Sequence, residues 1–320
     1  MEVAPGIHRI EAPLGDRYVS LYLLAGDDGL LLFDTGDDQA PPGTLAPYLA
    51  GLGRDPSAVG WIVTSHCDYD HFGGNRSALE LFPRARLACH ALDAAMAEDL
   101  DLLISGRLCE FAAHGIVESD ETIATVRAGT RTAPVDLRLQ GGEQVRLDRG
   151  WRVEIAHVPG HSRGHLCVLD ERSRAAMVSD AVLGETLRTV AGNPAFPPTY
   201  RYVDTYLATI ARLEAWRPRL LLTAHFPVFE GADVADFLGL SRAFTERLES
   251  GLRRLLAASL APVPMLALIR ELAPDLGEWS PDATLALSQP VAGHLERLER
   301  YGLAERTGDG EAGLAWRWKH

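Results

Sequence analysis

The chain has 320 residues, of which 47% are hydrophobic, and its formal net charge is -13 at pH 7. That length accommodates one large domain and a small one, and the apolar fraction is typical of a folded protein rather than a disordered one. The acidic balance argues against nucleic acids and anionic membranes as partners, because phosphate contacts need clustered lysine and arginine. No apolar run reaches the roughly 18 residues of a membrane-spanning helix. The first residues, MEVAPGIHRIE, lack the features of a secretory signal, so we expect a cytoplasmic protein.

Short apolar segments in the first third of the chain predict β-strands. They are GIHRIEA, RYVSLYLLAG, GLLLFDTG, AVGWIVTS and ARLACH. Between the last two, GGNRSALELFP predicts a short helix that ends at Pro83. The spacing then becomes helical with no strand signal, which predicts a helical insertion at about residues 92–132.

Strand patterns resume after the insertion with VDLRLQ, EQVRL, RVEIAHVPGH, HLCVLDE and RAAMVSDAV. Because short turns connect these segments, we expect an antiparallel meander. The segment YVDTYLATIARLEAW then places apolar residues on one helical face. RLLLTAHF follows and predicts a buried strand that ends at His225.

The last part of the chain predicts a separate small domain. A long helix is expected after Asp233, and Pro262 and Pro264 break it. A further helix is expected with Ser288 as its N-cap, followed by a β-hairpin with a Gly-rich turn at residues 308–313. Helices followed by a two-stranded wing indicate a winged-helix-like domain at residues 246–320, after a larger domain at residues 1–245. The helix SQPVAGHLERLERYG alternates glutamate with arginine, which is typical of a solvated face rather than a DNA-binding one.

Candidate metal ligands follow four of the apolar strands. Histidine and carboxylate groups supply the lone pairs that a divalent metal needs, and loops at strand ends are held by a rigid sheet. The segments are HCDYDH, VPGHSRGH, VSDAV and LTAHFP, which contain His66, Asp68, Asp70, His71, His161, His165, Asp180 and His225. This pattern predicts one metal centre built from distant parts of the chain.

These motifs, with FDTG and the order of the elements, resemble the metallo-β-lactamase superfamily of hydrolases over roughly residues 1–245. The resemblance implies an α/β fold, a four-layer αβ/βα sandwich. The superfamily pattern is H-x-H-x-D-H, then a distant histidine, aspartate and histidine. Carried over to this sequence, it assigns one metal to His66, Asp68 and His161, a second metal to Asp70, His71 and His225, and the bridging position to Asp180.

The resemblance also implies a function, hydrolysis of a small ester, thioester or lactone by a metal-bound hydroxide. Asp70 is expected to be catalytic, orienting the attacking water or taking its proton. Asp34 and His165 are expected to support the ligand loops from behind. The pocket, roofed by the helical insertion, is expected to include Tyr69, Tyr200 and Tyr202.

Asp68 departs from the superfamily pattern, which has histidine at this position. We expect zinc first. Because a third carboxylate makes the centre less positive and suits harder ions, iron and manganese are the alternatives. Iron-dependent redox chemistry of the di-iron or sulfur dioxygenase type is the alternative function, since di-iron members carry a carboxylate there. A nucleic-acid-binding protein or nuclease is a further alternative. The sequence leaves the oligomeric state open, a homo-oligomer included.

Overall fold

A computed structural model describes residues 1–308 and 314–319 of the chain. Seven strands form the first sheet, and their order in space follows their order in the chain. The first four pair antiparallel and the last four pair parallel. The strands are β1 Glu2–Ala4, β2 Ile7–Leu14, β3 Arg17–Ala25, β4 Leu30–Phe33, β5 Val59–Val63, β6 Arg86–His90 and β7 Leu137–Leu139.

A second sheet of six strands has the order β15-β14-β11-β10-β9-β8, and β12 and β13 form a separate pair. The strands are β8 Glu143–Arg146, β9 Arg152–His157, β10 Leu166–Asp170, β11 Ala175–Ser179, β12 Leu187–Arg188, β13 Pro194–Phe196, β14 Leu220–Thr223 and β15 Phe229–Glu230. The predicted meander is confirmed for β8 to β11, which pair antiparallel in chain order. It is wrong for VDLRLQ, because β7 pairs parallel with β6 and so extends the first sheet.

Most of the helices lie in the outer layers of the molecule. The helices are α1 Ala46–Gly51, α2 Tyr69–Phe72, α3 Asn75–Leu81, α4 Ala94–Glu98, α5 Leu100–Leu103, α6 Asp120–Ala128, α7 Val203–Trp216, α8 Ala232–Ala258, α9 Met265–Leu276, α10 Pro281–Thr284 and α11 Ser288–Arg300. In the described residues, none of them is long and apolar enough to cross a membrane.

Three apolar clusters fix the layers. One lies between the two sheets and includes Phe33 and Val63 from the first and Ile155 and Met177 from the second. A second cluster covers the outer face of the first sheet with α1 and α3. A third covers the outer face of the second sheet with α7, α8, α9 and α11. Each fully buried side chain of this kind contributes roughly 1.5–3 kcal/mol. The four-layer αβ/βα sandwich predicted from the sequence is therefore confirmed.

The predicted helical insertion is also present. It consists of α4, α5, a π-helical turn at Ile104–Leu108, a short 3₁₀ turn and α6. Its first part packs through Ala97 and Leu103 onto Cys67 and Phe72 beside the HCDYDH segment. The insertion thus lies against the loop that contains the candidate ligands.

The C-terminal part contains a sheet of β16 Val263–Pro264, β17 Ala304–Thr307 and β18 Ala315–Trp318, with β18 in the centre. Strands β17 and β18 are the two arms of the predicted hairpin, and the predicted Gly-rich turn lies largely outside the described residues. Helix α8 has 27 residues and continues through the predicted domain boundary at residues 245 and 246.

The N-cap prediction for Ser288 is wrong. The chain is already helical at Leu285–Leu287, so Ser288 has helical dihedral angles and its side chain caps nothing. Ser280 is the capping residue instead, because its side chain accepts a hydrogen bond from the Ala283 amide at the start of α10.

Candidate metal centre

Four predicted ligands converge at one end of the two sheets and are called here the second half of the centre: Asp70, His71, Asp180 and His225. Asp70 and His71 lie in α2, Asp180 follows β11, and His225 follows β14. The His225 Nε2 atom lies 3.4 Å from an oxygen of Asp70 and 3.4 Å from an oxygen of Asp180. The His71 Nε2 atom lies 3.8 Å and 3.6 Å from the same two carboxylates. Residues that are far apart in sequence therefore direct their donor atoms at one point.

Three further predicted ligands, His66, Asp68 and His161, form the first half of the centre. One donor atom from each lies within 4.8 Å of the others. The Asp68 Oδ2 atom is 2.9 Å from His161 Nε2 and 3.4 Å from His66 Nε2. The rings of His66 and His71 are 4.1 Å apart, so the two halves are adjacent. The structure thus brings all seven predicted ligands together.

The histidines are oriented by what their Nδ1 atoms contact. His225 donates from Nδ1 to the Tyr18 carbonyl at 2.9 Å, and His71 donates from Nδ1 to Asp34 at 3.0 Å. The Nδ1 atom of His66 lies 2.9 Å from the Ser65 hydroxyl. A partner at Nδ1 fixes the ring and turns the Nε2 lone pair toward the centre.

Asp34 lies behind the second half. Besides His71, its carboxylate accepts hydrogen bonds from the amide and hydroxyl of Ser65 and from the hydroxyl of Ser179. Asp34 and Ser179 both have left-handed backbone, with φ of 65° and 49°. Such a conformation costs about 1–3 kcal/mol per residue, and this hydrogen-bonded network holds it in place. Asp34 therefore lies behind His71, and the support role expected from the sequence stays a prediction.

His165 lies behind the first half and is fully buried. Its Nε2–H donates to the Val178 carbonyl at 3.1 Å, and its ring stacks on His66 at 4.6 Å. Burial, reinforced by the neighbouring His161, lowers the pKa of His165 to about 3, so the ring is neutral. The loop from His161 to His165 is also held by Asp93, which accepts hydrogen bonds from the Ser162 hydroxyl and the Gly164 amide. Sequence reasoning missed Asp93, because it lies in the insertion and matches no motif.

Charge separates the two halves. Burial opposes protonation of His71, but the carboxylates of Asp70 and Asp180 outweigh burial and raise its pKa well above the ordinary value. In the first half, burial and the neighbouring histidines hold the pKa of His66 well below the ordinary value. The second half therefore attracts positive charge, and His66 does not.

The second half fits a divalent metal. Within residues 1–308 and 314–319, the buried atoms His71 Nε2 and Asp180 Oδ1 have no hydrogen-bond partner, and neither has His66 Nε2 of the adjacent first half. Buried polar atoms left unpaired cost free energy, so several of them around one point indicate a missing ligand. Imidazole and carboxylate donors are what zinc, iron and manganese take in proteins.

The first half is different, because a guanidinium group lies in it. Arg107, from the π-helical turn of the insertion, binds both carboxylate oxygens of Asp68, with its Nη2 atom 2.7 Å from Oδ2. The same Nη2 atom lies 2.9 Å from His161 Nε2. Sequence reasoning missed Arg107, although the departure at Asp68 was a signal that this carboxylate has a different partner.

The predicted pocket tyrosines separate into two groups. Tyr69 and Tyr202 are half-buried, and the Tyr202 hydroxyl accepts a hydrogen bond from Arg163. Tyr200 does not line a pocket, which corrects the expectation for this residue. Its ring is fully buried, stacks on Tyr206 at 4.3 Å and is hydrogen-bonded to His294. All four cysteines, Cys67, Cys89, Cys109 and Cys167, lie in the described part of the chain and are free thiols.

Comparisons with known proteins agree with this geometry. Residues 14–225 match the family described as "Metallo-beta-lactamase superfamily". A "probable metallo-hydrolase" of Mycobacterium bovis is 31% identical over 46% of this chain and 50% of its own length, and one of Mycobacterium tuberculosis matches equally. The chain thus spans about half the length of these curated relatives.

Solved structures extend the match to nearly the whole chain. A metallo-beta-lactamase family protein from Thermus thermophilus has a TM-score of 0.76 and 25% identity, covering 99% of this chain and 100% of its own. A beta-lactamase domain protein from Burkholderia ambifaria has a TM-score of 0.76 and 20% identity, covering 100% of this chain and 94% of its own. The C-terminal helices therefore belong to an arrangement that is also found in solved structures.

Proposed function

The chain belongs to the metallo-β-lactamase superfamily, and from that premise we propose that it is a metal-dependent hydrolase of small esters, thioesters or lactones. The observation that supports this most is the second half of the centre. There, Asp70, His71 and His225 direct donor atoms at one point, and Asp180 lies 3.4 Å from His225. Two of these buried atoms, His71 Nε2 and Asp180 Oδ1, have no partner among the described residues.

These four residues would hold a divalent ion, which would supply Lewis acidity and make a nearby water more acidic. The protein's own contribution begins with the rigid frame of Asp34, Ser65 and Ser179, which fixes the direction of the His71 lone pair. Asp70 keeps 12% of its side chain exposed, whereas Asp180 keeps 7%. Asp70 is therefore the better placed of the two to meet an incoming water, orient it and accept its proton.

The accessible side of the centre is formed by Asp68 and Asp70. Asp68 has the most exposed side chain of the predicted ligands in ion-pair contact, at 26%. We propose that the substrate approaches from this side, under the insertion. Tyr69 borders the centre there, and burial, followed by the charge of Asp70, raises its pKa to about 12, so its hydroxyl stays protonated and can donate a hydrogen bond.

Zinc stays the first expectation for the second half, with iron and manganese as alternatives. The sequence predicted two metals, and the guanidinium of Arg107 in the first half argues against the second ion.

The C-terminal part, residues 246–320, is proposed to be a winged-helix-like module that borders the centre rather than a DNA reader. Arg297 and Arg300 of α11 are engaged by Asp204 and Glu249 within the protein. A small-molecule substrate and a cytoplasmic location remain our expectations.

The test is hydrolysis by purified protein that is stripped with a chelator and reloaded with zinc, manganese or iron. We expect turnover of at least one ester, thioester or lactone, loss of turnover in the stripped protein, and a decrease of about 10²–10⁴-fold in Asp70→Asn. Asp101→Asn is the matched control, because this exposed carboxylate pairs with Arg127 on the insertion surface. Metal-loaded protein that hydrolyses none of these substrates but consumes oxygen with iron would replace the proposal with the redox alternative.

A further inference from the structure

The guanidinium of Arg107 is the most unusual group in the centre. It approaches Asp68 through two of its nitrogens, which is the fork geometry by which arginine binds a carboxylate. Only 12% of the Arg107 side chain is exposed, so this contact is partly shielded from water. Opposite charges held in contact at such a shielded position stabilise each other more than they would in water.

Arg107 contacts two of the three residues predicted to bind a first metal, Asp68 and His161. The third, His66, has a buried Nε2 atom without a hydrogen-bond partner among the described residues. A metal in the first half would be coordinated by a carboxylate oxygen of Asp68 and by the Nε2 lone pair of His161. Here both oxygens of Asp68 face the guanidinium, and the Nη2 group lies 2.9 Å from His161 Nε2, at the distance of a donated hydrogen bond. A divalent ion and a guanidinium cannot share these donors, because two cations would lie within a few ångströms of each other.

The formal charges agree with this view. The centre contains three carboxylates, those of Asp68, Asp70 and Asp180. One divalent ion in the second half and one guanidinium in the first half match these three negative charges. A second divalent ion beside Arg107 would leave the centre with an excess of two positive charges.

Arg107 is also held in place from behind. Its backbone carbonyl accepts a hydrogen bond from the side chain of Gln289 in α11 at 3.4 Å. Three residues further along the insertion, Glu110 binds the guanidinium of Arg201, which also binds Glu296 of α11. The π-helical turn that contains Arg107 is therefore fixed between Asp68 of the centre and helix α11.

We propose that Arg107 takes the place of the first metal, so that the protein binds a single divalent ion, in the second half of its centre. In this arrangement, Asp68 is the partner of Arg107 and not a metal ligand. The inference rests on the metal site of the proposed function, but not on the hydrolytic reaction.

The test is the number of ions bound per chain, measured with Zn²⁺ alone by titration calorimetry and by elemental analysis after dialysis. We expect one equivalent in the wild type and two in Arg107→Gln, because the substitution removes the competing charge and frees Asp68 and His161. Arg127→Gln is the matched control, since it removes an exposed arginine of the same insertion and is expected to stay at one equivalent. Co²⁺ loading adds a spectroscopic measurement, because a second ion adds a second set of absorption bands.

Two equivalents in the wild type would overturn the inference, and so would one equivalent in a folded Arg107→Gln. A double variant, Asp68→His with Arg107→Gln, restores the superfamily pattern and is expected to bind two ions even if the single variant folds poorly. These measurements need no substrate. A wild type with one ion and no hydrolysis would therefore count against the proposed function and leave this inference standing.

Discussion

The two halves of the centre contain the same residue types but are supported by different parts of the molecule. The second half is backed by Asp34 and Ser179, which lie at strand ends inside the sandwich, together with Ser65, whose hydroxyl also contacts His66 of the first half. The first half is backed by the insertion, which supplies Arg107 and Asp93. In the proposed single-metal arrangement, similar donors bind different cations, a metal in the second half and the guanidinium of Arg107 in the first. The comparison indicates that a ligand motif determines where a cation binds, whereas neighbouring segments such as the insertion determine which cation binds there.

The largest expected difference between the halves comes from removing one histidine of each. His225→Ala takes away a donor at 3.4 Å from both carboxylates of the second half, and we expect loss of the bound ion and of turnover. His161→Ala removes only a neighbour of Arg107, and we expect it to retain one ion per chain. Elemental analysis of both variants beside the wild type checks this prediction. Loss of the ion from His161→Ala would mean that the metal also uses the first half.

Substitution of the residue behind the ligands should lower metal affinity in the second half and leave it nearly unchanged in the first. Asp34→Asn keeps the side-chain shape and tolerates the left-handed backbone, but it removes the charge that holds His71. We expect metal affinity to fall about 10–100-fold, as is typical for the group behind a metal-bound histidine. Zn²⁺ titration measures this change.

Asp93→Asn is the corresponding change behind the first half. Asp93 is buried and accepts hydrogen bonds from Ser162 and Gly164. We expect a loss of about 1–3 kcal/mol in the free energy of unfolding, with metal affinity nearly unchanged. Equal loss of metal affinity in Asp34→Asn and Asp93→Asn would remove the distinction between the halves.

The ion pairs of Arg201 with Glu110 and Glu296, called here the clamp, connect the insertion to α11. Breaking them should perturb the first half less than the substitutions above. Arg201 is 7% exposed and binds Glu110 of the insertion and Glu296 of α11. Arg201→Ala leaves two carboxylates facing each other, and we expect a loss of about 1–3 kcal/mol because both retain contact with water. Thermal unfolding measures this loss. With the insertion loosened, weak binding of a second Zn²⁺ is also expected, and its absence would show that Arg107 stays in place without the clamp.

The sequence was enough to predict which residues meet at the centre, but not which residues of the insertion contact them. The ligands of both halves follow apolar strands, so local patterns were enough to place His66, His71, Asp180 and His225 at one edge of the sandwich. The contact of Arg107 with Asp68 joins residues that are 39 positions apart and depends on the path of the insertion, for which no local pattern exists. The burial of Tyr200 likewise depends on the packing of α7 against α8 and α11.

The smallest expected effect is the loss of stability in acid where helices α8 and α11 pack together. Glu249 of α8 is bound by His294, Arg253 and Arg297, and these contacts, with the His294 hydrogen bond first, lower its pKa from 4.5 to about 2. A carboxyl with a lowered folded-state pKa stabilises the protein above its unfolded pKa, and this contribution is lost as the pH falls from about 4.5 toward 2.

Glu249→Gln should therefore lower the free energy of unfolding at pH 7 by about 1–2 kcal/mol, a value reduced for partial exposure to solvent. Its stability should also change less than that of the wild type between pH 4.5 and 2. Denaturant titrations at several pH values measure both effects. Because α11 contacts Arg107 through Gln289, the variant should loosen the backbone of the first half more than that of the second.

Hydrogen exchange at pH 4 measures this. We expect the backbone amides of the first half to exchange faster than those of the second. Equal exchange in both halves would mean that α11 supports the whole centre.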